Sequence, residues 1–427
     1  MSAQSMMQTL RGGILNPLRN PDFRQLLGSN ALWWLAIFME TLVYGWLVLE
    51  MTNSAWAVAI VGFCRSLPFL LVGFVAGTVA DRLGRRRVIV AAQAINFAVY
   101  VLLSILLFAE RLEIWHLAVT SLILGSAWAL DWPARRALLP DLIGKKQTVE
   151  ALLLENFVQG FSRMFGPFLA GMLVASTGAL GCLVAMALLS GLALISVSQL
   201  SKQPIPRLNR RPAVSPWTAL GQSLRYVGSN QSILGVILIT VVMNFLMIPY
   251  MTLLPVFARD VLQQGPVGLG LLSSATGIGS FIGLFAISYA RRYVSNGWIL
   301  TGGTLGMALA LMVFSQSAHF GLSWIMLLVA GIGQACFGIM QSSIVLLAAS
   351  DEMRSQTMGV IVLAIGSDPV GKVQTGALAE SLGAPAAVGI QAAVAAVLLV
   401  AIAIALPGLH ARHEEARQNA PSGPPDA

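Results

Sequence analysis

The sequence predicts an all-α membrane protein whose twelve transmembrane helices form two pseudo-symmetric six-helix bundles. Three observations carry this. Of the 427 residues, 56% are hydrophobic and only 10% charged, against about 25% charged in an ordinary soluble domain. Apolar runs recur along the whole chain, each near or above the roughly 20 residues that a helix needs to cross the hydrocarbon core. They are continuous rather than alternating, which favours helices over the shorter strands of a barrel. The longest polar break inside the chain separates six runs from six.

Taken in order, the first-half spans are expected at 23–50, 55–80, 88–109, 114–138, 150–176 and 179–200. A turn near Asn53 separates the first two, and the basic stretch GTVADRLGRRR separates the second from the third. The second half is expected at 229–258, 268–289, 297–316, 322–349, 356–381 and 385–406. Its eleventh span is interrupted by GSDPVGKVQTG, and a turn near Gly383 ends it. The resulting organisation is an N-terminal cytoplasmic segment (1–22), a bundle (23–200), a basic proline-rich linker (201–228), a second bundle (229–406) and a disordered cytoplasmic tail (407–427).

The net charge of +8 would suggest nucleic acid in a soluble chain, but its location gives another reading. Outside the spans, every Lys and Arg except Arg111 and Arg259 falls on one face of this topology. The positive-inside rule then puts both termini in the cytoplasm and accounts for the basicity without nucleic acid. Cys64, Cys182 and Cys336 have no metal-ligand spacing and are not paired with any of the four histidines, so neither a disulfide framework nor a metal is expected. The first twenty residues lack an apolar core followed by a cleavage site, which leaves targeting to the first span. No GxxxxGK[ST] phosphate loop is present. No nucleophile, base and orienting group cluster in sequence, so the expectation is a protein without enzymatic activity or cofactor.

Internal similarity supports a repeat. GFVAGTVADR at the end of the second span aligns with GLFAISYARR at the end of the eighth. GPFLAGMLVASTG in the fifth aligns with GKVQTGALAESLG in the eleventh, so that Gly166, Gly171 and Gly178 match Gly371, Gly376 and Gly383.

Gly77, Asp81, Arg82, Gly84, Arg85, Arg86 and Arg87 resemble motif A of the major facilitator superfamily. Small residues there allow close helix approach and a tight turn, and the arginines suit an anionic cytoplasmic surface. NPDFRQLLGSN, the stretch 131–167 and DEMRSQTMGV are similar to the enterobactin-exporter and drug-efflux branch of that superfamily. Gln356 stands where the branch usually has an arginine. Gly166, Pro167 and Gly171 resemble the core of motif C, a feature of antiporters, with Gly160 offset from the usual spacing. The resemblance implies that Asp81 engages the start of the eleventh helix, near Ser355 to Thr357, and latches the halves. It also implies that the first, fourth, seventh and tenth helices line a central cavity.

Ionisable residues within spans are functional candidates by default. Glu40 and Arg65 lie at similar depths, roughly 18–20 Å from the turn at Asn53, and can pair. Asp368 lies at a comparable depth, and the superfamily architecture sets its helix against that of Arg65, so Arg65 has two possible partners. Lys372, four residues after Asp368, is the local alternative to Arg65 as partner for that acid. The repeat puts Asp368 opposite Arg163 and Lys372 opposite Pro167. Asp131 and Arg135 share the four-residue spacing of an intracellular-gate pair, with Glu155 close to the same cluster, and Asp131 is alternatively a candidate for proton or substrate contact. Glu40, on the implied cavity-lining first helix, is the first candidate for proton or substrate contact. Asn244, Tyr250, Met247 and Met251, with Gln334, Met340 and Gln341, supply a soft, partly polar wall.

The expectation is therefore a monomeric, proton-coupled exporter of a small amphipathic molecule, a siderophore or drug, in a bacterial inner membrane. A nutrient importer of the same fold and a non-transporting sensor or scaffold are the alternatives. Its partners are the lipid bilayer, a proton gradient and a small-molecule substrate.

Overall fold

The computed structural model describes residues 15–144, 147–201, 216–350 and 353–411; within its helices, the side chains of 72–82, 149, 216–220, 354 and 355 fall outside that description. Every extended element among the described residues is helical. Asn20 starts α1 (Pro21–Thr52) by accepting from the Phe23 amide at 3.2 Å, with proline at the first helical position. Asn53, in the left-handed region at φ 52°, ends it. The next helices are α2 (Ala55–Leu83), α3 (Arg85–Phe108) and α4 (Ile114–Ile143).

A single helical run, α5 (Thr148–Ser198), follows. At 1.5 Å per residue it is about 76 Å long, more than twice the roughly 30 Å hydrocarbon thickness. Gly178, at φ 71° and ψ 177°, breaks it at the boundary expected between the fifth and sixth spans. Only glycine adopts that conformation readily. After a short helix, α6 (Pro216–Ser229), α7 runs over Gln231–Val261 with π turns at Met243–Met247 and Phe257–Val261. The chain continues through α8 (Pro266–Ala290), α9 (Asn296–Gln316), α10 (Phe320–Ala348), α11 (Arg354–Ile365), α12 (Asp368–Leu382) and α13 (Ala384–Ala405).

Among the described residues, nine helical stretches are long and apolar enough to cross a membrane. The difference from the expected twelve has local causes. The Gly178 break merges two lengths into one run. The apolar stretch of α2 with described side chains, Ala55–Leu71, is shorter than a full span, and the expected eleventh span is divided at Gly366 and Ser367. Large apolar side chains face outward, Ile404 at 76% and Leu188 at 63% exposure, as a hydrocarbon surround requires. The tail is expected to be disordered, yet its start is ordered. The linker contains α6, and the start of the tail forms a 3-10 turn at Pro407–His410. Leu409 of that turn is buried against Gly235 and Gly297.

In the first half α1 packs on α5, α2 on α4, and α3 on both α4 and α5. In the second, α8 and α9 pack on α10, and α13 on α9 and α12. Two seams join these sets, α5 against α8 and α12 against α2. The aligned glycines sit at equivalent places in this arrangement. Gly166 abuts Phe38 and Leu35 on α1, while Gly371 abuts Asn244 and Phe245 on α7. Gly171 faces Pro266 and Gly270 across one seam, and Gly376 faces Ala59 and Trp56 across the other. Gly178 and Gly383 end their helices with positive φ, 71° and 84°. The sequence repeat is thus a repeat of contacts.

Candidate functional site

Three polar clusters interrupt the apolar interior, each held by several helices. The first lies between α1, α2 and α3. Arg65 Nε stands 2.7 Å from Glu40 Oε1, and Tyr100 donates its hydroxyl to Glu40 Oε2 at 2.8 Å. The Arg65 guanidinium also lies 5.3 Å from the Trp128 ring centroid, a cation–π distance. Of the two partners open to Arg65, the structure uses Glu40. Tyr100 was not among the expected site residues; a tyrosine in an apolar run carries no signal of its partner.

The second cluster links α1, α3, α4 and α5. Asp131 Oδ1 accepts from Arg135 Nε at 2.9 Å and its other oxygen from Gln93 at 2.9 Å. Arg135 in turn donates to Asn30 and, at 3.3 Å, to Ser29, and stacks 4.7 Å from the Trp33 centroid. Asn30 passes the chain on by donating to Glu155. Glu155 therefore joins the Asp131 and Arg135 pair through Asn30. Asp131 and Arg135 are almost wholly buried, and of their network Arg135 Nη2 and Gln93 Oε1 have no hydrogen-bond partner among the described residues. Asn30, Gln93 and Trp33 are members that sequence reasoning missed. Gln93 stands out in an apolar helix, but Asn30 and Trp33 carry no such mark.

The third cluster joins α5 and α10. Arg163 on α5 donates to Gln334 on α10. Arg163 also lines a cavity of about 210 Å³ between α1, α5, α7 and α8, whose walls include Phe38, Leu42, Met251 and Leu269. Tyr250 is buried close by with no hydrogen-bond partner for its hydroxyl. Other wall candidates turn inward. Asn244, in the first π turn of α7, donates to Thr240 O at 2.8 Å, and Gln341 donates to Thr240 Oγ1 at 2.8 Å. They stitch α7 to itself and to α10.

At the α2–α12 seam Lys372 pairs with Asp368 at 2.8 Å and donates to Ser66. Of the interface possibilities, the local pair is the one formed, and it is the lysine that crosses the seam. At one end of the molecule the turn between α1 and α2 is gripped from the second half. Arg259 Nη1 donates to Leu49 O and Asn53 Oδ1, both at 2.9 Å. Glu380 accepts from Ser54 Oγ at 3.1 Å and the Trp56 amide at 3.2 Å. A cation thus meets the C-terminus of α1 and an anion the N-terminus of α2, each the sign favoured by the helix dipole.

At the opposite end, Gly84 caps α3 at φ 90°, and Arg85 donates to Ala137 O and Asp141, both at 2.6 Å. Arg86 reaches Ser198 O at 2.5 Å, and Arg87 is exposed. Gly77, Asp81 and Arg82 lie within α2, with side chains outside the described residues, as is that of Ser355. Gln356 accepts from Ser223 at 3.2 Å. Pro167 lies inside α5 between the packed Gly166 and Gly171.

This arrangement of helices is that of solved membrane transporters. A bacterial homologue of the human lysosomal transporter Spinster, inward-facing and unoccupied, matches with a TM-score of 0.69 at 14% identity, covering 94% of this chain and 99% of that one. A POT peptide transporter in complex with alafosfalin matches with a TM-score of 0.76 at 14% identity, over 92% and 95%. The chain belongs to the transmembrane secretion effector family of the major facilitator superfamily, which it matches over residues 12–425. It is 24% identical to the staphyloferrin A transporter of Staphylococcus aureus over 68% of this chain and 73% of that protein. It is 26% identical to the multidrug efflux pump Tap of Mycobacterium tuberculosis over 81% and 84%. Macrolide efflux protein A of Streptococcus pyogenes is 22% identical, over 64% and 68%. The protein is a multi-pass membrane transporter, not an enzyme.

Proposed function

We propose that this transporter is a proton-coupled exporter of a small amphipathic molecule, working by alternating access in a bacterial inner membrane. Twelve spans form two six-helix halves, with both termini cytoplasmic and the polar turn between α1 and α2 on the outer side. The equivalent contacts of Gly166 and Gly371, and of Gly171 and Gly376, support the paired halves. The grip of Arg259 and Glu380 on that turn is then an outer closure. Export agrees with the relatives named as efflux pumps.

The observation that carries the coupling is the Glu40, Arg65 and Tyr100 cluster. Glu40 is a buried carboxylate held by one cation and one hydroxyl, and its neighbours Phe38, Thr41 and Leu42 line the cavity. Protonating Glu40 removes the charge that holds Arg65, which links a proton to the α1–α2 contact. Asp131 and Asp81 serve gating rather than proton transfer, through the Arg135 network and the start of α11 respectively.

The test is uptake of candidate drugs and siderophores into inverted membrane vesicles, with and without an imposed proton gradient, for the native protein and Glu40→Gln. Gradient-driven flux lost in the variant is expected. Flux indifferent to both gradient and substitution overturns the antiport reading and the role of Glu40 together.

A further inference from the structure

Most buried charges of this protein have an opposite charge beside them. Glu40 has Arg65, Asp131 has Arg135, and Asp368 has Lys372. Arg163 differs: among the described residues it has no carboxylate at ion-pair distance, and its contact is the neutral amide oxygen of Gln334. Its Nε atom is buried without a hydrogen-bond partner, and so is the hydroxyl of Tyr250, which lies within electrostatic reach of it. An arginine stays protonated at any physiological pH. An uncompensated guanidinium at membrane depth is costly and points to a missing counter-charge.

The surroundings of Arg163 define what that counter-charge belongs to. Among the described residues, Arg163 is the one ionisable side chain lining the inter-half cavity, and no acid lines it. The rest is apolar, Phe38, Leu42, Met251, Leu254 and Leu269 among it, with Thr41, Ser273 and Thr276 as small hydroxyls. We propose that this cavity takes an amphipathic monoanion, a carboxylate joined to an apolar body, with Arg163 holding the carboxylate and the wall of α1, α7 and α8 holding the body. A guanidinium binds a carboxylate through two parallel N–H donors, and the Tyr250 hydroxyl is a further donor. Organic cations meet no carboxylate here among the described residues and are disfavoured by the same charge. The inference rests on the reading of the cavity as the transport cavity and adds to it the sign of the substrate's charge.

The experiment is calorimetric binding to the full chain in lipid nanodiscs, with empty nanodiscs subtracted and no gradient present. The probes are 2-naphthoate, the neutral 2-naphthamide and the cationic 2-naphthylmethylammonium. The native protein is expected to bind naphthoate about tenfold or more tightly than the amide, the scale of one charge-assisted hydrogen bond. Arg163→Gln is expected to erase that preference, and Arg163→Lys to keep part of it, which separates loss of charge from loss of fold. No naphthoate binding, equal affinity for acid and amide, preference for the ammonium, or an unchanged preference in Arg163→Gln each overturns the proposal. Because binding is read without a gradient, failure of proton coupling in the vesicle assay leaves this result standing, and the reverse also holds.

Discussion

Lys372 on α12 pairs with Asp368 at 2.8 Å and at the same time donates to Ser66 on α2, the residue that follows Arg65. At this depth of the α2–α12 seam, a lysine with its own counter-ion makes the crossing. Arg65 meanwhile spends its charge inside the first half on Glu40.

Removing one partner of such a pair strands the other. Lys372→Met is expected to lower the unfolding temperature of the purified protein, and the double variant Asp368→Asn with Lys372→Met to recover part of the loss. The coupling should be on the order of 1 kcal/mol. An Arg65 and Asp368 cycle should by contrast be additive within about 0.5 kcal/mol. Strong coupling between Arg65 and Asp368 would contradict the arrangement described.

Asn30 is the middle link between Arg135 and Glu155. Asn30→Ala takes one hydrogen bond from each. A loss of about 1–3 kcal/mol is expected in equilibrium unfolding. A variant as stable as the native protein would mean that the network closes without it.

At the α5–α8 seam, a Cβ on Gly270 would stand 2.7 Å from Pro167 O and 3.2 Å from Phe168 Cα. Both are backbone, so neither can swing away. Gly270→Ala is expected to cost on the order of 1–3 kcal/mol through overpacking and to slow transport. Gly302→Ala, with nothing within 4 Å of its new methyl group, should be neutral or stabilise by about 0.5–1 kcal/mol. Equal thermal stability of the two variants would refute the close-packed seam.

Thr252 lies against Gly62 between the halves, beneath the gripped turn. With the native cysteines replaced, Thr252→Cys reports whether that end opens. Adding Arg259→Gln and Glu380→Gln should raise its rate of labelling by an impermeant maleimide severalfold, since each charge contributes a dipole interaction of about 0.3–1 kcal/mol. An unchanged rate would remove the grip from the closure.

Much of this architecture was legible in the sequence, because hydrophobic length and glycine spacing are local signals. The frame of Gly166, Gly171 and Gly178 against Gly371, Gly376 and Gly383 located the repeat, and the contacts follow it. The four-residue spacing of Asp131 and Arg135, and of Asp368 and Lys372, gave pairs that form. What stayed hidden is what depends on a second helix. Arg163 and Gln334 were each singled out, yet nothing in a sequence of single helices joins them across the two halves. Ser66, Tyr100 and Asn30 are ordinary residues until a charge is set beside them. The π turns of α7 arise from a backbone slip that changes no hydrophobic pattern, and the tail turn at Pro407–His410 is ordered by Gly235 and Gly297 far away in sequence.

The grip on the turn between α1 and α2 has a consequence for how the family's sequences drift. Arg259 binds the Leu49 carbonyl and Glu380 the Trp56 amide, atoms that every amino acid except proline supplies. Selection acting on the contact can therefore fix the two charges in the second half while leaving positions 49 and 56 free to change. Among relatives, Arg259 and Glu380 should stay constant while positions 49 and 56 vary, with Asn53 and Ser54 as the side chains able to covary with them. Searches for correlated substitutions will see at most the Asn53 and Ser54 share of this contact and pass over its backbone share, however much the transport cycle depends on it.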